Sequence, residues 1–160
     1  MDYLLEQYDT EKRISFPTLQ QQYRMKQWLQ FQTTTQGPTL QHIFHWGPAS
    51  GQANPAARAG YVEEFRRVLQ VLDDELGENG GWLVGGKCSA ADLSYVPFHS
   101  RIDFIMSDDK PDMATDYPYV DAWYKCMLKR GTVEKVLVDH QNALKGVTFP
   151  TEKQVLQKLS

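Results

Sequence analysis

Cysteine is scarce in this sequence, and the two present, Cys88 and Cys126, stand too far apart to form a redox or metal-binding motif. Both are expected to be buried free thiols. Histidine offers one close pair, His42 and His45, with no cysteine or carboxylate beside it at ligand spacing, so no metal site is expected. A dominant charge is lacking too. The net charge of -3 gives no electrostatic footprint for nucleic acid or an anionic membrane, and neither is expected as a partner. No run approaches the roughly 20 apolar residues that a membrane-spanning helix needs. Met1 to Tyr8 has neither the basic start nor the apolar stretch of a signal peptide, which points to the cytoplasm. Alternating strand patterns are also missing. Trp82 to Gly86 is too short and too glycine-rich to make one, so the expected fold class is all-α.

What the sequence does contain is helical periodicity between short breaks. Met1 to Tyr8 reads as the last turns of a helix, with Tyr3, Leu4, Leu5 and Tyr8 too apolar for a free end; a polar linker, Asp9 to Arg13, follows. Pro17 suits the first position of a long helix, where its missing N–H costs nothing. Leu19, Tyr23, Met25, Trp28, Leu29 and Phe31 then give that helix a broad apolar face. It weakens at Thr33 to Thr35 and is interrupted at Gly37-Pro38, with Thr39 to Trp46 continuing in a bent direction.

Asn54-Pro55 caps and opens the clearest helix, where Val62, Phe65, Leu69, Leu72 and Leu76 step by three and four. Gly77 with Gly80-Gly81 is expected to end it. Ser89 and Asp92 form a capping box at the head of Leu93, Tyr95, Val96, Phe98, Ile102 and Ile105, a helix that Pro97 should kink. Asp108 to Thr115 reads as a polar loop. Pro118 opens another helix, Gly131 breaks it, and Val133, Val136, Leu137 and Leu144 mark a last one. Gly146 onward reads as a tail with a short helix over Thr151 to Leu159. The expected organisation is a remnant at 1–16, a helical domain at 17–146 and a tail at 147–160.

The segment from Trp82-Leu83-Val84-Gly85 through Ser89-Ala90-Ala91-Asp92 resembles the WLVG-x-x-x-S/T-x-A-D signature that opens the buried sixth helix of glutathione transferases. There the Ser/Asp box is a folding element, not a catalytic one. Tyr117-Pro118 to Trp123, then Arg130-Gly131-Thr132-Val133, resemble that family's YP-x-V-x-x-W and RP-x-V segments, with Gly131 in place of Pro. Trp28 to Gln32 with Gln36-Gly37-Pro38 is similar to the WLFFQ and GQGP stretches of nu-class enzymes and fungal nitrogen-regulator relatives. The match covers roughly residues 1 to 145 and implies a glutathione transferase C-terminal-like helical bundle.

By that resemblance Asp2 to Asp9 corresponds to the end of the helix closing a thioredoxin-like N-terminal domain, whose glutathione-binding and thiol-activating residues do not appear here. Glutathione as cofactor is therefore left open, with no cofactor assigned. The resemblance places the family's hydrophobic-substrate pocket along the first long helix and its bend, and near the capped helix. In this chain those positions include Phe31, Thr35, Gln36, Leu40 and Phe98 as substrate-binding candidates. His42, where the family has another residue, is a candidate acid or base. Tyr61 is a second catalytic candidate, as a hydrogen-bond donor. Arg67 matches an arginine that reaches glutathione in nu-class enzymes; a solvated ion pair with Glu63 or Glu64 is the competing explanation.

Three functions stay open on these residues. One is a stand-alone enzyme isomerising, cyclising or adding to a small hydrophobic molecule without the usual thiol activation. Another is a non-catalytic assembly module, with Tyr3, Leu4, Leu5 and Tyr8 at a homodimer interface. The third is a fragment of an ordinary glutathione transferase.

Overall fold

The computed structural model describes residues 1–145, so the tail from Gly146, including the helix expected over Thr151 to Leu159, lies outside the described residues. The fold is all-α, with no strand among those residues. Helix α1 spans Asp2–Tyr8, α2 Leu19–Phe31, α3 Gly37–His45, α4 Pro55–Glu78, α5 Ala90–His99, α6 Ile102–Met106, α7 Met113–Asp116, α8 Pro118–Leu128 and α9 Gly131–Leu144. None of them is long and apolar enough to cross a membrane.

Helix α4 is the spine. Its apolar stripe, Val62, Phe65, Val68, Leu69, Leu72 and Leu76, is buried, and α3 and α8 pack along it. Asn54 caps it as its side chain accepts from Ala57 N–H at 3.1 Å, with Pro55 in the first turn. Gly77 does not end the helix. It lies inside α4 because the Tyr119 ring presses there: a β-carbon at 77 would sit 2.9 Å from Tyr119 Cε2. Asp73, also on α4, is buried and caps another helix. Its Oδ1 accepts from the N–H groups of Tyr119 and Val120 at 2.8 and 2.9 Å, satisfying the start of α8, where no side chain of α8 itself does so.

Helix α5 is the second buried element, packed on α2 and α8. The Ser89–Asp92 capping box is present, and Asp92 does more than cap. One carboxylate oxygen accepts from Ser89 N–H and hydroxyl at 2.8 and 2.7 Å. The other accepts from Leu83 N–H at 3.1 Å and from the Trp123 indole at 2.9 Å. A fully buried carboxylate with four donors ties the preceding loop, α5 and α8 together, which is the form in which buried charge is tolerated. Cys88 beside it is buried, as expected; Cys126 is exposed, because it falls on the outer face of α8.

Several local expectations shift. Pro17 lies before the helix, and Thr18 is the cap of α2, accepting from Gln21 N–H at 3.4 Å. The helix carrying Pro97 is not one kinked rod: α5 ends at His99, the chain turns through Ser100-Arg101, and α6 follows. The loop from Asp108 to Thr115 holds a 3-10 turn at Ser107–Asp109 and the start of α7, capped by Asp112. The linker after α1 is tightly tied by buried Asp9, which accepts from Arg13 N–H at 2.7 Å, Ile14 N–H at 3.1 Å and the Ser15 hydroxyl at 2.6 Å. Burial alone would raise the Asp9 carboxyl; these hydrogen bonds hold it below its ordinary value instead. On α1, Leu5 is buried, while Tyr3, Leu4 and Tyr8 are exposed.

Candidate ligand groove

Pro38 sets the geometry of the site. It has no N–H, and its ring conflicts with the carbonyl four residues back, that of Thr34. The chain answers with a π turn over Gln32–Gln36, in which Gly37 N–H reaches the Gln32 carbonyl five residues back. The hydroxyls of Thr33 and Thr34 donate to the carbonyls of Leu29 and Gln30 at 3.1 and 2.8 Å. The helix therefore passes from α2 to α3 without the interruption expected at Gly37-Pro38. Gln32 and Gln36 face inward, and both are buried.

Opposite this stretch lies the break between α5 and α6, marked by Pro97. The two irregularities face each other across an open groove of about 620 Å³. One wall is Gln32, Thr33, Gly37 and Pro38, continuing through Leu40, Gln41 and Phe44. The other is Pro97, Phe98, Arg101, Phe104 and Ile105. Leu40 is buried, Phe98 is partly exposed, and the Phe44 and Phe104 rings lie 6.0 Å apart at a 34° tilt. The volume and apolar lining fall within the range of small-molecule sites. Arg101 is the only charged residue among the described residues that line it.

Just behind the groove sits a buried polar pair that composition did not suggest. The Gln36 amide nitrogen and His99 Nδ1 are 3.1 Å apart, and the same ring nitrogen lies 3.3 Å from the Tyr95 carbonyl. The rings of Trp123 and Tyr124 flank His99, with centroids at 5.4 and 5.3 Å. His99 Nε2 and Gln36 Oε1 have no hydrogen-bond partner among the described residues. Burial pushes the imidazole down to about 4, against a smaller opposing effect of the Tyr95 carbonyl, so His99 is neutral near pH 7.

The structure gathers some of the expected residues and separates others. Leu40 and Phe98 line the groove, and Gln36 stands behind it. Phe31 packs edge-on against Trp28 at 5.5 Å, and neither it nor the half-buried Thr35 reaches the groove. His42 and Tyr61 stack on each other, 4.5 Å between centroids at a 13° angle, across α3 and α4 and outside the groove lining. Arg67 is exposed and held by both oxygens of Glu64, at 2.9 and 2.5 Å. Arg58 pairs with Asp109 and donates to the carbonyls of Ile105 and Met106 at 3.1 and 3.0 Å, tying down the end of α6. Gln32, Phe44, Arg101 and Phe104 were not anticipated. The prolines at 38 and 97 were the available signal, since each marks a place where a helix departs from regularity.

Residues 55–126 match the family model described as Glutathione S-transferase, C-terminal domain. The chain is 35% identical over 147 residues to the Glutathione S-transferase-like protein tpcF of Aspergillus fumigatus, covering 87% of this chain and 65% of that protein. It superposes on Ure2p5 of Phanerochaete chrysosporium, cocrystallised with 1-(S-glutathionyl)-2,4-dinitrobenzene, with a TM-score of 0.85 at 28% identity, over 92% of this chain and 68% of the other. For the glutathione transferase URE2P8 of the same fungus, solved with oxidized glutathione, the TM-score is 0.83 at 32% identity, over 91% and 65%. The chain thus spans less than two thirds of the length of the curated relatives it matches, 62 to 65% for three of them.

Proposed function

We propose, for a chain that belongs to the glutathione S-transferase family through its all-helical C-terminal domain, that the groove between the π turn and the α5–α6 break binds a small hydrophobic substrate. The reaction we assign is glutathione transferase-like: isomerisation, cyclisation or addition on a molecule held by Leu40, Phe98, Phe44 and Phe104. The supporting observation is the groove itself, about 620 Å³ with apolar walls. Shape and desolvation contribute by holding a reactive conformer of the substrate, which lowers a unimolecular barrier without a dedicated nucleophile. The relatives' glutathione complexes belong to those proteins; for this chain, thiol activation is not part of the proposal.

The test is a fluorescence titration of the purified chain with a neutral apolar probe, N-phenyl-1-naphthylamine. Saturable binding that weakens about tenfold in Phe98→Ala is expected, since removing a half-buried aromatic wall forfeits its contact area. Unchanged binding in that variant would place the ligand elsewhere. Micromolar binding of glutathione to the same sample, measured by calorimetry, would overturn the glutathione-free form of the reading.

A second reading has its own observation. Tyr3, Leu4 and Tyr8 on α1 are 67%, 54% and 73% exposed, an apolar cluster large enough to suit an assembly interface. A homodimer through α1 follows, and a monomeric mass by light scattering would count against it.

A further inference from the structure

Four of the seven arginines form ion pairs among the described residues, and of the other three only Arg101 lines the groove. Arg24 pairs with Glu75, Arg58 with Asp109, Arg66 with Glu63 and Arg67 with Glu64. Arg101 has no ion pair and no side-chain hydrogen bond among the described residues, although it stands where the chain bends into the groove. Of the nearby acids whose side chains are described, Asp103 pairs with Lys110 at 2.5 Å and Asp109 with Arg58. The described groove lining has no carboxylate. Among the described residues this apolar groove therefore carries one charged side chain, Arg101, whose N–H donates to the Phe98 carbonyl at 3.0 Å.

The rest of the described lining offers flat surfaces, the rings of Phe98, Phe44 and Phe104 and the faces of Pro38 and Pro97. A guanidinium presents parallel N–H groups that match a carboxylate in two contacts, and aromatic walls favour a planar, stacked guest.

We infer that this groove selects a planar aromatic carboxylate, with Arg101 receiving the acid group and the aromatic walls stacking on the ring system. The inference rests on the groove being the substrate site and adds the chemical class of what it takes.

The test compares 2-naphthoate with 2-naphthamide, two guests of one shape that differ in charge, by isothermal titration with the whole chain at neutral pH. Naphthoate is expected to bind about tenfold more tightly. That preference should shrink when salt is raised to about 0.5 M. Arg101→Gln should remove the preference, with an unchanged circular dichroism spectrum and urea midpoint reporting that the variant is folded. Arg101→Lys should keep part of it. Equal affinity of the native protein for the two guests overturns the charge selection and leaves the groove reading standing. A preference that survives in Arg101→Gln overturns the role of Arg101. Failure of the native protein to bind either guest removes the groove reading, and this inference with it.

Discussion

Phe98 packs its ring onto Gly37 so closely that a β-carbon at residue 37 would lie 3.2 Å from Cε1 and 3.3 Å from Cζ. The two walls of the groove meet at this contact, and glycine is what lets them meet. Gly37→Ala should gain up to ~1 kcal/mol of helix propensity and spend much of it displacing the ring by a few tenths of an ångström. The ring, being partly exposed, moves into the groove. Thermal stability should change by less than about 1 kcal/mol, while affinity for N-phenyl-1-naphthylamine falls several-fold. Native affinity in the variant would show that this contact does not shape the binding surface.

His99 gives the fold an acid sensitivity of defined position. Its folded pKa of about 4 lies below the ordinary value of 6.5, so the fold favours the neutral ring. Stability from this source is complete above pH 6.5, declines as pH falls from there toward 4, and changes no further below. The span corresponds to ~3 kcal/mol. Urea denaturation at several pH values should show that slope in the native protein and a flatter one in His99→Gln, which keeps a polar side chain but cannot titrate. Parallel slopes in the two would assign the sensitivity to other groups.

Asp73 and the start of α8 form a cap supplied from 46 positions away. Asp73→Ala leaves the N–H groups of Tyr119 and Val120 buried or half-buried without an acceptor and should cost about 2–3 kcal/mol in chemical denaturation. Asp73→Asn retains an acceptor at the same place and should cost less than half as much. Equal losses in the two variants would mean that packing volume, not the hydrogen bonds, is what Asp73 contributes.

The two thiols should separate cleanly by reactivity. Cys88 is buried and its thiol is pushed up to about 11 by burial, with the Asp92 charge adding to the effect; Cys126 is exposed. With Ellman's reagent at mildly alkaline pH, one fast equivalent is expected in the native protein and a second only in denaturant. Two fast equivalents would indicate that the loop before α5 opens readily.

Features held by neighbours in sequence were the legible ones. The Asn54 cap, the stripe of α4 and the Ser89–Asp92 box each depend on residues within a turn or two, where spacing carries the information. Gly77 was misleading because glycine marks helix ends more often than close approaches, and only the fold brings the Tyr119 ring against it. Thr33 to Thr35 read as a weak helix because no periodicity rule covers a π turn. Leu40 and Phe98 came from family resemblance. Arg101, Gln32 and Phe104 did not, since each looks like ordinary surface or core until two helical irregularities are folded face to face.

The π turn also makes the protein sensitive to chain length in a way that composition hides. Three identical threonines occupy it, so losing any one of them produces the same shorter sequence. A chain one residue shorter would close an ordinary α turn, and α3 would keep nearly the same face toward the groove, because the wide turn is what absorbs the extra residue. Pro38 would then press on the carbonyl four residues before it with no wide turn to relieve the clash. The protein would keep its composition almost intact, yet the wall carrying Gly37 and Leu40 would have to kink. Here a single-codon deletion moves strain into the helix rather than side chains out of the groove.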